Sequence, residues 1–315
     1  PTPIATKENR GFFEGLAAWL MASPANAVLA LGATSLLPIT QPVSGVLLAA
    51  LGIARGVRTA AVLAALAAGA LLAFAAVLGA SPVAVLMMLA AGWIPVYLLI
   101  VIWQVTRSAL LAVQLSLIVA ATVLLVVNLV VVDLDAFWQP TLQAVDQSYR
   151  EAGMRSPLVA LQEQLEGAPD TIGALMTMGV ATIVWLLAAL EFMLGGALSD
   201  RLPGIRPRFG RIRDLEFGRT LAVVFVAVTV LAWLADVSVL RQVGFLFLTA
   251  FMLQGLAVVH WLHAREYAPV IVVFLAYGSL LVLQGYAVMA IAVVGLMDAL
   301  LRGRRRLLET KGSGQ

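Results

Sequence analysis

Residues 109–132 read ALLAVQLSLIVAATVLLVVNLVVV, a run without a single charge. As an α-helix rising 1.5 Å per residue it would be about 36 Å long, enough to cross a hydrocarbon core of about 30 Å. Its amides, Gln114 and Asn128, are too few to make a polar face. In water such a helix would leave apolar surface on every side, whereas in lipid its backbone hydrogen bonds are all satisfied internally. Four more stretches meet the same length test: Ala60–Gly79, Pro82–Trp103, Thr171–Leu198 and Val243–Leu262. Thr220–Ala235 is shorter and is expected to extend through Asp236 to Leu240.

The whole chain agrees with these segments. Of 315 residues, 62% are hydrophobic and 12% charged, and the mean hydropathy is +1.00. Soluble domains carry roughly 45–50% apolar and about 25% charged residues. This composition cannot cover a water-soluble particle with polar surface, so a soluble enzyme, a nucleic-acid-binding domain and a disordered chain are excluded. The fold class read from it is all-α, a polytopic transmembrane helical bundle whose first partner is the lipid bilayer. Cysteine is absent, which removes disulfides, thiolate metal sites and a cysteine nucleophile.

Two regions do not divide cleanly. Ala268–Leu301 is too long for one pass and barely long enough for two, and Gln284-Gly285-Tyr286 is its natural break. Ala25–Leu37 and Val43–Ala54 are short apolar runs separated by Pro38 and Pro42, which lack the N–H a continuous helix needs. Counting both regions as pairs, with the N-terminus in the cytoplasm, puts 17 of the 20 basic residues on the cytoplasmic side. The expected layout is therefore about ten membrane segments with both termini inside, or about eight if the first pair is re-entrant. Residues 1–23 form a cytoplasmic segment with an interfacial helix at Phe12–Met21, and 24–132 the first transmembrane half. An acidic outer loop spans 133–170, 171–301 is the second half with a basic cytoplasmic loop at 199–219, and 302–315 is a basic tail. Within the outer loop, Leu142, Val145 and Tyr149 share one helical face, and Leu158, Leu161 and Leu165 another after Ser156-Pro157. Pro1–Arg10 has no signal-peptide pattern, so the first membrane segments are expected to direct insertion, into a bacterial inner membrane.

Ionisable and amide groups within the bilayer are costly and are the functional candidates. Glu191 lies about two turns from the cytoplasmic end of its helix, and Asp236 and Asp298 sit near helix ends. His260, His263 and Glu266 follow at i, i+3, i+6, without the i, i+4 spacing of a zincin pair, and are read as interfacial groups making local hydrogen bonds. Asn128, Gln254 and Gln284 complete the set; Gln254 is the best buried candidate, either contacting a ligand or joining two helices. No Gly-x-Ser-x-Gly elbow, His-Glu-x-x-His or Walker loop is present, so no enzyme, metal or cofactor is expected. Ala60, Ala64 and Ala68 form one small-residue ridge, with Ala61, Ala65, Gly69 and Ala73 beside it. Such ridges let helices approach closely, marking a central helix or a subunit contact. Pro95 is expected to kink its helix. Arg206, Arg208, Arg211, Arg213 and Arg219 offer contacts to anionic lipid or a cytoplasmic partner, or act only as a topogenic cluster.

The C-terminal third carries a resemblance. Arg213-Asp214, Phe217-Gly218-Arg219-Thr220-Leu221-Ala222 and Ala232-Trp233-Leu234 lead into Leu253-Gln254-Gly255-Leu256-Ala257-Val258-Val259-His260-Trp261. Gly295-Leu296-Met297-Asp298 and Arg304-Arg305-Arg306 close the pattern, and Leu36-Leu37-Pro38 and Ser44-Gly45 fit it near the start. This resembles the YybS-like family of bacterial predicted membrane proteins, a domain of unknown function. That family is grouped with the substrate-binding S-components of energy-coupling-factor transporters, which implies a helical bundle holding a small molecule. S-components place an Ala-x-x-x-Ala docking face on their first helix, whereas here the alanine ridges fall on the third segment. Two readings follow: a small-molecule binding or transport subunit, or a non-catalytic accessory subunit packing against another membrane protein.

Overall fold

The computed structural model describes residues 12–37, 39–165, 171–201 and 212–304. Among them every regular element is helical, and six helices are long and apolar enough to cross a membrane. These are α4 (Val57–Val77), α5 (Pro82–Thr106), α6 (Ala109–Val130), α9 (Ile172–Ser199), α10 (Gly218–Ala235) and α11 (Ser238–Ala264). The remaining helices are α1 (Phe12–Ala22), α2 (Pro24–Ser35), α3 (Gln41–Arg55), α7 (Leu134–Glu151), α8 (Pro157–Leu165), α12 (Val270–Val282) and α13 (Gly285–Leu301). The chain is a multi-pass membrane protein.

Local chemistry explains the boundaries. Ser23, Ser81 and Asp133 each accept a backbone N–H of the following first turn, at 3.1, 3.4 and 2.9 Å. Pro24 and Pro82 then occupy first-turn positions, where a missing N–H costs nothing. α2 ends at Ser35 and α3 begins at Gln41 with Pro42 in its first turn, Pro38 lying outside the described residues, and Gln284, with φ 44°, separates α12 from α13. Pro95 sits inside α5, which runs on through it. One boundary differs from expectation. α10 stops at Ala235, because Asp236 turns into the left-handed region (φ 51°) and pairs with Arg241 at 2.6 Å. Leu240 therefore belongs to α11.

The chain divides into two units, to both of which α6 and α9 contribute. The first comprises residues 1–116 and 184–212. Here α3 packs against α2, α4 and α5, and its Leu47–Gly52 stretch is buried throughout. α2 and α3 rise only about 18 and 22 Å, short of the ~30 Å core. Gln41, at the tip where they meet, fits against Gly92, near the middle of α5. α4 turns Ala60, Leu63, Ala67, Leu71 and Ala75 inward and leaves Val62, Leu66 and Phe74 exposed, so it flanks this unit instead of running through its centre.

The second unit comprises residues 117–183 and 213–315. Its centre is α11, which packs against α10, α12 and α13 and is buried continuously from Thr249 to Val258. Phe225 and Phe217 meet Phe251 with ring centroids 5.2 and 5.9 Å apart. α11 and α13 meet backbone to backbone: a Cβ on Gly255 would strike the Ile291 carbonyl, and one on Gly295 the Phe251 carbonyl. α12 buries none of its residues. α7 is tied down at its start, where Asp135 accepts the Gly173 N–H at 2.8 Å and Trp138 donates to Thr177 at 2.8 Å.

Candidate functional site

Glu191 stands on α9 about 12 Å from its C-terminal end, counting eight residues at 1.5 Å each. It is 4% exposed, and among the described residues no group donates a hydrogen bond or an ion pair to its carboxylate. It borders a pocket of about 210 Å³ together with Val184, Leu187 and Ala188 of α9, Met88, Ala91 and Gly92 of α5, and Gln41 of α3. Apart from Glu191 and Gln41 the lining is hydrocarbon or glycine.

Two glycines make room for the two polar groups. A Cβ on Gly45 would collide with the Glu191 carboxylate, and one on Gly92 with the Gln41 amide. Gln41 and Gly45 lie one turn apart on the same face of α3, and Ala49 continues it against Gly195 of α9. The tip of α3 is anchored beside them. Ser44 Oγ donates to the Gln41 carbonyl at 2.6 Å and accepts Trp93 Nε1–H at 2.9 Å. On the other side Trp185 donates to Ser116 Oγ at 3.1 Å, tying α9 to α6. The carboxylate and the amide are thus held by a rigid frame at the point where α3 begins.

Gln254 takes the helix-joining role of the two open to it. It is fully buried, its Oε1 accepts the Phe217 N–H at 2.9 Å, and its Nε2 donates to Asp298 Oδ2 at 2.8 Å. Asp298 also accepts Arg304 Nε–H at 2.9 Å, and the Arg304 guanidinium caps the carbonyls of Arg213 and Leu215 at 2.9 and 2.7 Å. This knot fastens the segment entering α10, the middle of α11 and the end of α13. Arg213, Phe217, Gln254, Asp298 and Arg304 all belong to the motifs that carried the family resemblance, and the fold brings them to one place.

Asn128 forms a reciprocal amide pair with Gln242, at 3.0 and 3.1 Å, which joins α6 to α11. His260 of α11 meets the Tyr277 hydroxyl of α12 at 3.0 Å, and His263 the Ala268 carbonyl at 3.3 Å. Gln284 borders a larger pocket, about 430 Å³, with Phe245, Leu248, Tyr286 and Met289. That pocket offers no charged group, and Tyr286 and Met289 on its wall are exposed. Of the small-residue ridges, Ala60 is buried, Ala61, Ala64 and Ala68 are half-buried, and Ala65, Gly69 and Ala73 face outward. Arg219 is exposed at the start of α10, while Arg206, Arg208 and Arg211 lie outside the described residues.

Gln41 and Gln242 escaped the sequence reading, and Arg304 entered it only as one of the arginines that close the family pattern. Gln41 sits between two prolines and reads as a loop residue; its signal was a polar side chain at the break of a helix pair too short to span. Arg304 is one of three consecutive arginines, indistinguishable by sequence from its neighbours.

A family model described as a predicted membrane protein, DUF2232, matches residues 25–299. No curated protein and no solved structure matches the chain.

Proposed function

We propose that this chain, which belongs to the DUF2232 family of predicted membrane proteins, is a non-catalytic membrane subunit that binds or carries a small molecule in the pocket beside Glu191. The observation that supports this reading is the carboxylate itself, 4% exposed and without a donor, on the wall of a pocket. An ionisable group inside the bilayer is expensive, and where its only role is to hold helices together it is paired. Asp298 is such a structural group, and Glu191 differs from it in having an open pocket where the partner would be.

The placement of the pocket argues the same way. Leu36, Leu37 and Ile39 at the tip of the α2–α3 pair are exposed and apolar, which suits lipid better than water. We read the pair as re-entrant, reaching mid-membrane and returning to its own side. Irregular backbone at that depth is tolerated where it is buried in protein or lines a cavity, and broken helices of this kind hold the sites of many transporters. Our reading keeps both termini in the cytoplasm of a bacterial inner membrane, and an even number of crossings together with the arginine distribution supports it. The grouping with S-components that the sequence resemblance implies would fit this reading, since those too are helical bundles around a small ligand.

The test is what the purified protein carries. Native mass spectrometry from mild detergent should find a small molecule on the wild type that Ala91→Leu, a pocket-filling change at an exposed position, removes while the protein stays folded. Equal small-molecule content in the two proteins would refute the reading.

A second reading, an accessory subunit docked on another membrane protein, rests on the outward stripe Ala65, Gly69 and Ala73. A Cβ on Gly69 meets nothing within 4 Å, so Gly69→Ile leaves the fold intact while spoiling a close helix approach. Loss of a co-purifying subunit from this variant would favour docking over binding.

A further inference from the structure

We infer that the ligand of the Glu191 pocket is a small primary amine in its ammonium form, with Glu191 as counter-charge and the Gln41 amide oxygen as a second acceptor. This rests on the pocket-binding reading above and adds the chemistry of what enters.

Charge decides the head group. The pocket wall contains one charged residue, Glu191, and no cationic side chain. Burying an unpaired carboxylate is costly, so Glu191 either takes up a proton or is paired, and a cationic head group is the ligand chemistry that pairs it. A metal ion is a poor candidate. Hard cations require six or more oxygen ligands, and among the described residues no group of three His, Cys, Asp or Glu side chains gathers anywhere. An ammonium needs fewer acceptors, since each N–H takes one, and here a carboxylate and an amide oxygen are both offered.

Lining and size decide the body. Met88, Val184 and Leu187 present hydrocarbon, so the remainder of the ligand is apolar. A volume of about 210 Å³ falls below the roughly 300–1,000 Å³ of drug-sized sites. A pocket of this size suits an amine with a short alkyl chain. The glycines complete the specification: Gly45 gives the carboxylate its position and Gly92 the amide, so the acceptors are set by backbone contacts instead of chance rotamers.

The probes are n-butylammonium and n-butanol, matched in hydrocarbon and differing in charge, titrated onto the full chain in nanodiscs with thermal stability as readout. Wild type should bind n-butylammonium at least about tenfold more tightly than n-butanol, the factor expected of one charge-assisted hydrogen bond. Glu191→Gln, near-isosteric, should abolish that preference. The comparison of the two probes on wild type stands even if the variant folds poorly. Equal binding of both probes, or a preference that persists in Glu191→Gln, would overturn the ammonium assignment. In that event n-butanol binding that Ala91→Leu removes would leave the pocket reading standing. Failure of both probes overturns the amine, while the small-molecule content of Ala91→Leu judges the pocket separately.

Discussion

Arg304 folds back onto Asp298, its guanidinium nitrogen 2.7 Å from the carboxylate, with both residues less than a tenth exposed. The contact spans only six residues, because Arg302 takes a left-handed conformation (φ 52°) and turns the chain back along the end of α13. The arginine then satisfies two backbone carbonyls ahead of α10 that would otherwise be lost to solvent or left unpaired.

Removing one member of this pair leaves a buried charge without compensation. Asp298→Leu or Arg304→Met is expected to destabilise the protein by about 3–5 kcal/mol. The double variant Asp298→Leu/Arg304→Met should lose less than the sum of its parts, since no charge remains buried. It will not return to wild type, because the Arg213 and Leu215 carbonyls stay uncapped. Thermal unfolding of the four proteins in one detergent measures the cycle; additive losses would mean the pair is not coupled.

Gln254 is the other half of the same knot. Gln254→Leu keeps the volume and strands the Phe217 N–H and one Asp298 acceptor site. Leaving such groups unsatisfied costs about 1–3 kcal/mol. The local signature is sharper than the global one: hydrogen exchange at the Phe217 amide should accelerate in the variant, while amides in the middle of α11 keep their protection. Unchanged exchange at Phe217 would contradict the hydrogen bond.

What could be read before the structure follows from the range of the interactions concerned. Apolar runs announce membrane helices because the bilayer acts on each residue independently, so α4, α5, α6, α9 and α11 were legible to within a few residues. The break at 284–285 and the division between α2 and α3 were legible too, since Gly and Pro act locally. Asp236 was not: its left-handed turn depends on where α11 begins, not on its own neighbours. Glu191 and Gln254 were singled out as costly groups, yet the sequence treats them alike. Their difference lies in partners 37 and 44 positions away for Gln254, and in a glycine on another helix, Gly45, for Glu191. Such pairings are set by packing, which no local pattern encodes.

Asn128 and Gln242 test whether a membrane amide pair contributes to stability. Each donates to the other, and Asn128 also donates to the Leu124 carbonyl at 2.9 Å. Polar contacts between membrane helices are worth about 0.6 kcal/mol on average and up to about 1.7. A cycle of Asn128→Val, Gln242→Leu and the double variant should give a coupling within that range, because an amide left alone can still find backbone. A coupling near zero would show the pair to be incidental.

The seam between α11 and α13 is the last element open to a clean comparison. Gly295 faces the Phe251 carbonyl and the Gly255 backbone nitrogen, neither of which can retreat as a side-chain tip could. Gly295→Ala must separate the two helices or distort them, and overpacking of this kind costs about 1–3 kcal/mol. Gly278 on α12 is the control, for a Cβ there meets nothing within 4 Å and no residue of that helix is buried. Gly278→Ala should be neutral or raise stability by up to about 1 kcal/mol, the helix-propensity difference between the two residues. Measured side by side as shifts in Tm, the two substitutions add the same methyl group with opposite expected signs. Equal effects would mean that α11 and α13 do not meet through their backbones.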